Sequence, residues 1–134
     1  MEISWRGRIT SRELNVLHAE CFGGRIYADD EWDWAALCAR HSLGWACARE
    51  GEELAGFANV LWDGAAHAWL QDVMVAPAAR HGGLGARLVE LARDRALEAG
   101  CEWLHVDFAP ALAPFYLGAC GFEPAHAGLM RLAP

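Results

Sequence analysis

The sequence predicts a single α/β domain in which a mixed, mostly antiparallel, twisted sheet is flanked by helices. Three observations support this class. The 134 residues match the size of one domain and contain no repeat or low-complexity linker, so residues 1–134 are assigned to one unit. Segments with strand and helix periodicity follow in the order β-α-α-β-β-β-α-β-α-β. At the centre, residues 69–100 combine a strand, a glycine-rich loop and a helix.

The N-terminal segment predicts a short strand followed by a capped helix. Residues 1–9 alternate as a strand does. Thr10 or Ser11 can cap the helix that follows, and Glu13 lies where a capping box requires an acid. Gly23 is expected to end this helix, because glycine readily adopts the left-handed conformation found there.

A second helix and a hairpin are predicted next. Asp29 or Asp30 is expected to cap the helix. One face of the helix is expected to carry Trp32, Ala35, Ala36 and Ala39. The apolar segments 45–49 and 54–62 flank a polar turn at Gly51, which indicates an antiparallel pair of strands.

The C-terminal half predicts a strand–helix–strand crossover. Residues 69–76 form an apolar strand, the helix after the loop ends at Gly100, and residues 103–108 form the next strand, parallel to the first. Two prolines then precede a short helix around Tyr116. Residues 129–132 are expected to add a final strand.

Composition narrows the classes of function. The net charge of −7 argues against nucleic acid as a partner, because binding to a phosphate backbone needs a basic surface. The acidity suits a cationic substrate, or it serves only solubility. No apolar segment reaches the length of a membrane span and no signal-peptide layout is present, so a cytoplasmic protein without a membrane partner is expected. The five scattered cysteines and six histidines show no metal-binding spacing, so no metal is expected.

The glycine-rich loop has the chemistry of an anion site. A strand leads into Arg80-His81-Gly82-Gly83-Leu84-Gly85, and a helix begins there, so free N–H groups and the helix dipole point the same way. The dinucleotide fingerprint fails, because its third glycine would be Leu88. The P-loop fails as well, since Gly85 is followed by Ala86 and Arg87 rather than by lysine and a hydroxyl residue.

The loop resembles the pyrophosphate loop of the GCN5-related N-acetyltransferase (GNAT) family. That family's pattern is Gln/Arg-x-x-Gly-x-Gly/Ala, which Arg80, Gly83 and Gly85 match. A hydrophobic strand with a proline precedes the loop, and an aromatic-Tyr…Gly-Phe segment follows at residues 115–122. The order of elements along nearly the whole chain is similar to that family, so the resemblance implies an acyl-CoA N-acyltransferase-like fold.

The resemblance implies acetyl-CoA as co-substrate, held without a metal. Backbone N–H groups at the start of the helix would bind the pyrophosphate, and the end of the preceding strand would pair with the pantetheine amides. The residues implied in this binding are Val73, Met74, Val75, Arg80, His81, Gly82, Gly83, Leu84, Gly85 and Ala86.

Two catalytic residues follow from the same resemblance. Tyr116 would donate a proton or hydrogen bond to the leaving thiolate, as the family's tyrosine does. The family usually places a glycine four residues later, whereas Gly121 is five residues away, which rotates a regular helix by about 100° unless a bulge absorbs it. His105 is the candidate base, where some protein-N-terminus acetyltransferases carry a glutamate. Gln71 replaces the glutamate of polyamine-type members, and Asp72 would face the other side of a regular strand, so water is the alternative base.

The expected function is acetyl transfer to a primary amine by direct attack in a ternary complex. The acceptor is a small molecule or a peptide amine, and the protein is a possible homodimer. A non-catalytic acyl-CoA-binding or sensing domain is the main alternative, and a nucleotide-binding module is the third. Two tryptophans and three acids are candidates for an acceptor wall, or else serve as core residues and helix caps: Trp32, Trp34, Asp29, Asp30 and Asp33.

Overall fold

The computed structural model describes residues 1–134 and contains one five-stranded sheet. In chain order the strands are β1 (Glu2–Trp5), β2 (Ser42–Glu50), β3 (Glu53–Trp62), β4 (His67–Val75) and β5 (Trp103–His105). They lie in the same order across the sheet. The first four pair antiparallel, and β5 pairs parallel with β4. The predicted class, a mixed and mostly antiparallel sheet with helices, is confirmed.

Helices cover both faces of the sheet. They are α1 (Ser11–Phe22), α2 (Trp34–His41), α3 (Leu84–Glu98) and a short π-helix (Pro114–Ala119), with single 3₁₀ turns at Pro77–Ala79 and Pro110–Leu112. One core cluster joins α3 to the sheet through side chains such as Leu88 and Val60. The other joins α1 and α2 to the opposite face through Leu14, Trp34 and Phe57. None of the helices is long and apolar enough to cross a bilayer.

The start of α1 confirms the predicted capping box and identifies Thr10 as its cap. The Thr10 hydroxyl accepts a hydrogen bond from the Glu13 N–H at 3.2 Å, and the Glu13 carboxylate accepts one from the Thr10 N–H at 2.8 Å. The same carboxylate binds the Arg49 guanidinium on β2 at 2.7 Å. The cap therefore also ties α1 to the sheet.

The start of α2 was predicted wrongly. Asp33, not Asp29 or Asp30, is the cap, because its carboxylate accepts hydrogen bonds from the Ala36 N–H at 3.0 Å and from the Ser11 hydroxyl at 3.1 Å. The buried face of the helix carries Trp34 and Cys38. The predicted face led by Trp32 is wrong, since that side chain precedes the helix and is 47% exposed.

The predicted strand at residues 129–132 is absent. The tail after the π-helix contains no regular structure, and Leu129 and Leu132 are 89% and 90% exposed. A strand is stable only when a neighbour satisfies its backbone, and this segment makes no backbone ladder with β5. The short β5 is consequently the edge of the sheet.

Candidate active site

Strands β4 and β5 separate after three pairs of residues and leave a fork between them. The last pair joins Trp69 to His105, whereas β4 continues to Val75. A cavity of about 250 Å³ lies in the fork. It is lined by Leu70, Gln71, Asp72, Val73, Val106, Asp107 and Tyr116. Beyond Trp69, β4 therefore has hydrogen-bonding groups on its β5 side that no strand uses, and an extended ligand can pair with them.

A β-bulge bends β4 at the fork. Asn59 of β3 pairs with Gln71, and Phe57 pairs with Met74, so two steps on β3 match three on β4. Asp72 lies in the extra step with a positive φ of 54°, which is unusual for a residue other than glycine. After the bulge, Met74 packs towards α1 and α2, whereas Val73 packs on the α3 side. The bulge thus exchanges the faces of the strand just where the cavity opens.

The glycine loop presents six consecutive backbone N–H groups without a protein acceptor. The N–H groups from His81 to Ala86 donate to no backbone carbonyl, and Gly83 provides no side-chain cap for α3. The first turn of α3 contains no acidic residue that would repel an anion. The Arg80 side chain donates from Nε to the Val75 carbonyl at 3.0 Å, which holds the loop against the end of β4. This region can cradle a pyrophosphate without a metal.

Two of the glycines are required for different reasons. Gly83 has a φ of 80° and open space around it, so its role is conformational. A Cβ at Gly85 would lie 3.1 Å from the Phe115 ring, so its role is close packing of α3 against the π-helix. The loop and the segment of Tyr116 are therefore in direct contact, although 30 residues separate them in the sequence.

The π-helix accommodates the five-residue spacing between Tyr116 and Gly121. The Cys120 N–H donates to the Phe115 carbonyl at 2.9 Å, which is the i→i+5 bond of a π-helix. One extra residue is absorbed in this wider turn, and the Tyr116 ring lines the cavity of the fork. The ring stacks on Phe108 at 5.0 Å and contacts Phe115 edge-on at 4.8 Å.

Burial controls the protonation of the polar groups around the cavity. It raises the pKa of Tyr116 to about 12, with smaller contributions from Cys120 and Asp107. It also raises the pKa of the Cys120 thiol. At neutral pH the tyrosine is a phenol that can donate, and the thiol is not activated as a nucleophile.

Asp72 is a polar residue of the site that sequence reasoning set aside. A regular strand would turn it away from Gln71, but the bulge brings it towards α1, where His18 is the nearby group that lowers its pKa. Burial is the larger effect and raises that pKa above 3.8. No side-chain hydrogen bond holds the carboxylate. What identifies Asp72 is the extra residue on β4 relative to β3, and this extra residue becomes visible only when the two strands are paired.

His105 lies at the mouth of the fork, on the face opposite α3. Its Nε2 lies 2.8 Å from Nδ1 of His67, and its ring stacks on Trp69 with centroids 5.0 Å apart. The structure brings it to the same fork as Tyr116, on the strand that ends there. The residues proposed for an acceptor wall separate: Trp34 is core, Asp33 is a helix cap, and Trp32, Asp29 and Asp30 lie in the exposed connection between α1 and α2.

No group of three or more histidine, cysteine, aspartate or glutamate side chains is arranged to hold a metal ion. All five cysteines are free thiols.

Comparison with known proteins identifies the fold and the family. The model of the acetyltransferase (GNAT) family matches residues 12–122. A search of curated protein sequences finds no significant match.

Solved structures of acetyltransferases superpose over almost the whole chain. A probable acetyltransferase of unknown function from meticillin-resistant Staphylococcus aureus has a TM-score of 0.80 at 15% identity, covering 99% of this chain and 100% of that one. AAC(6′)-Iy, in complex with the bisubstrate analogue CoA-S-monomethyl-acetylneamine, has a TM-score of 0.75 at 18% identity and covers 100% and 99%. Glucosamine-6-phosphate N-acetyltransferase from Arabidopsis thaliana has a TM-score of 0.75 at 18% identity and covers 98% of each chain.

Proposed function

Since the chain belongs to the acetyltransferase (GNAT) family, we propose that it is an acetyl-CoA-dependent N-acetyltransferase that acts on a small primary amine. The observation that carries this proposal is the continuity of two features. The six N–H groups from His81 to Ala86 have no protein acceptor, and Arg80 holds their loop against Val75, at the end of the β4 edge that no strand pairs with. Together they match a ligand with a pyrophosphate and an amide-bearing arm.

The residues present fit such a ligand. Val73, Met74 and Val75 would pair through their backbone with the amides of the arm, as an added strand does. The Met74 side chain is buried in the core, so that residue can contribute only its backbone. The positive φ of Gly83 aims the free N–H groups of the loop, and Gly85 lets the start of α3 pack closely against the π-helix that carries Tyr116. When bound, acetyl-CoA supplies the activated acetyl thioester, and this arrangement would direct it into the fork.

Tyr116 would stabilise the departing thiolate with a hydrogen bond. Its pKa of about 12 lies well above the value of about 8.5 that is typical of a thiol. Complete proton transfer to the thiolate is therefore uphill, whereas donation of a hydrogen bond costs no proton and is favoured in a partly buried site. This role is consistent with the position of the Tyr116 ring, which lines the cavity, and with its hydroxyl, which makes no hydrogen bond to another protein group.

His105 is the proposed base for the incoming amine. Its contact with His67 offers a second imidazole to share the proton, and histidine is the side chain that most often serves as a general base. The raised pKa of the Cys120 thiol argues against a covalent acyl-enzyme, so the acetyl group would pass directly to the amine.

Two of the similar structures involve amino sugars: one contains an acetylneamine bisubstrate analogue, and the other is a glucosamine-6-phosphate N-acetyltransferase. They favour a small amine as acceptor over a peptide amine. A non-catalytic acyl-CoA sensor is the competing proposal, motivated by Gln71 in place of a carboxylate.

Thermal shift and thiol release test the proposal together. Saturating acetyl-CoA should raise the Tm, and primary amines should release free CoA. Gly83→Ala should weaken acetyl-CoA binding about tenfold, because alanine disfavours the positive φ that aims the loop. Gly51→Ala is the matched control, since Gly51 also has a positive φ and open space but lies in the hairpin turn between β2 and β3.

An unchanged Tm with excess acetyl-CoA would contradict the binding itself. A raised Tm without CoA release from any amine would favour the sensor. Equal loss of acetyl-CoA binding in Gly51→Ala and Gly83→Ala would show that the loss comes from lower stability and not from a role of the loop in binding.

A further inference from the structure

Three aromatic rings stack beside the mouth of the fork. The Trp69 indole lies 5.0 Å from the His105 ring with an interplanar angle of 17°, and 6.1 Å from the His67 ring with an angle of 28°. The two imidazoles are joined by a nitrogen–nitrogen contact of 2.8 Å. Trp69 is 37% exposed, so part of its surface remains free for another ring.

The position of this stack relates it to the reaction. Trp69 and His105 are the last residues that β4 and β5 pair before the cavity opens. Ala68 and Leu70, which flank Trp69 on β4, belong to the core cluster on the α3 side of the sheet. Side chains alternate along a strand, so Trp69 points to the opposite face. That face carries α1 and α2, which leave the indole partly uncovered.

The charges on this face favour a cation. The bulge brings Asp72 towards α1 on the same face, with His18 as the nearby basic group. Neither β4 nor β5 contains an arginine, and the chain has no lysine. The guanidinium of Arg25, in the connection between α1 and α2, is paired with Glu31 and lies over the Tyr27 ring. Arg93 of α3, which lines a cavity together with Trp69, is likewise paired, with Glu90 and Asp94, so a phosphate on the acceptor would compete with carboxylates for these cations.

We propose that Trp69 and Asp72 form an acceptor subsite for an unphosphorylated primary amine carried on a ring. The ring stacks on the exposed face of the indole, and the ammonium group faces the carboxylate at the fork. Asp72 lies three residues beyond Trp69 on β4, at the bulge that brings its carboxylate to the same face of the sheet. This subsite rests on the proposed N-acetyltransferase function and defines the class of acceptor for it.

Two matched amines test the ring. Cyclohexylmethylamine and n-heptylamine carry the same number of carbon atoms, and only the first has a ring. With saturating acetyl-CoA, kcat/KM from thiol release should favour the cyclic amine about tenfold, through KM. Trp69→Ala should lower kcat/KM for cyclohexylmethylamine about tenfold more than for n-heptylamine, so that the preference for the ring is lost. Trp69→Phe should retain most of it, because phenylalanine preserves a stacking face.

Calorimetry gives a readout that does not depend on turnover. Cyclohexylmethylamine should bind the complex of the protein with CoA, and Trp69→Ala should weaken that binding about tenfold. Asp72→Asn should weaken binding of both amines alike, since each carries the same ammonium group. A melting curve for every variant, with acetyl-CoA present, verifies that fold and co-substrate binding are intact.

The outcomes separate this inference from the proposed function. Equal kcat/KM for the two amines, or an equal loss for both in Trp69→Ala, would overturn the subsite while acetyl transfer stands. A protein that binds acetyl-CoA but neither binds nor acetylates either amine would overturn the subsite, and absence of CoA release with every primary amine would overturn the proposed transfer as well. Failure to bind acetyl-CoA would contradict the proposed function at its first step.

Discussion

The two halves of the candidate active site differ in how their residues are distributed along the chain. The half proposed to bind the co-substrate is nearly continuous, because residues 73–86 contain the strand end, the loop and the first turn of α3. The half proposed to bind the acceptor combines Trp69 and His105 from two strands with Asp72, which lies near His18 of α1. The first half depends on local conformation, whereas the second depends on strand register and helix placement.

This contrast shows why the sequence predicted a complete set of residues for one half and only single candidates, such as His105, for the other. Free N–H groups at a glycine-rich helix start follow from local rules. The neighbourhood of Asp72 follows from a bulge that exists only because β3 and β4 differ by one residue in their pairing. Variants in the first half should therefore change the affinity for acetyl-CoA, and variants in the second half should change the reaction with the acceptor.

The largest effect is expected for Tyr116→Phe, at the junction of the two halves. Loss of the hydroxyl should lower kcat about 100-fold, because hydrogen-bond donation to the leaving group is lost. The Tm shift with acetyl-CoA should be unchanged, since the ring still packs on Phe108. Tyr27→Phe is the matched control, because Tyr27 is the only other tyrosine and lies in an exposed connection. A kcat within threefold of wild type would remove Tyr116 from the chemistry.

A smaller effect is expected in the co-substrate half from Arg80→Ala. Its side chain holds the loop to the Val75 carbonyl, but the six N–H groups remain. Acetyl-CoA should bind about threefold to tenfold more weakly in a calorimetric titration, with kcat at saturation nearly unchanged. A larger fall in kcat than in affinity would indicate that Arg80 acts on the acetyl group instead.

The dependence of kcat on pH should contain no contribution from Tyr116 below pH 10. Its raised pKa, about 12, keeps the phenol protonated throughout that range, so its donor function is lost only at higher pH. Wild type and Tyr116→Phe should therefore have parallel profiles between pH 6 and about pH 10. A fall in wild-type activity near pH 9 that Tyr116→Phe lacks would show that the hydroxyl titrates normally.

The smallest effect is expected on stability, from Asp72→Asn in the acceptor half. Burial raises the pKa of this carboxyl above 3.8, so the folded state disfavours its ionised form. The protonated carboxyl contributes stability that is fully present below about pH 4 and is lost as the pH rises through the folded pKa. Asp72→Asn should consequently have the higher Tm at pH 7, with a difference that shrinks towards pH 4. A lower Tm at pH 7 would indicate that a favourable partner holds the carboxylate.

The second helix and the tail show the same limit of local reasoning elsewhere. Asp29, Asp30 and Asp33 are all acceptable caps by local rules, and the contact of Asp33 with Ser11 on α1 selects one of them. The segment 129–132 has an apolar pattern that suits a strand, but its backbone finds no partner in the fold. In both places a contact made over a long sequence separation decides the outcome.

By itself, the sequence determined the fold class, the family and the predicted co-substrate loop, because glycine placement, capping residues and hydrophobic periodicity act over a few neighbouring positions. Comparison confirms the class and the family, and the loop residues remain predictions. Only the tertiary structure decided that a π-helix turns Tyr116 into the fork, that a bulge brings Asp72 to the face that carries α1, and that Trp69 stacks with two histidines. These arrangements depend on how separate strands and helices pair, and no local pattern encodes that pairing.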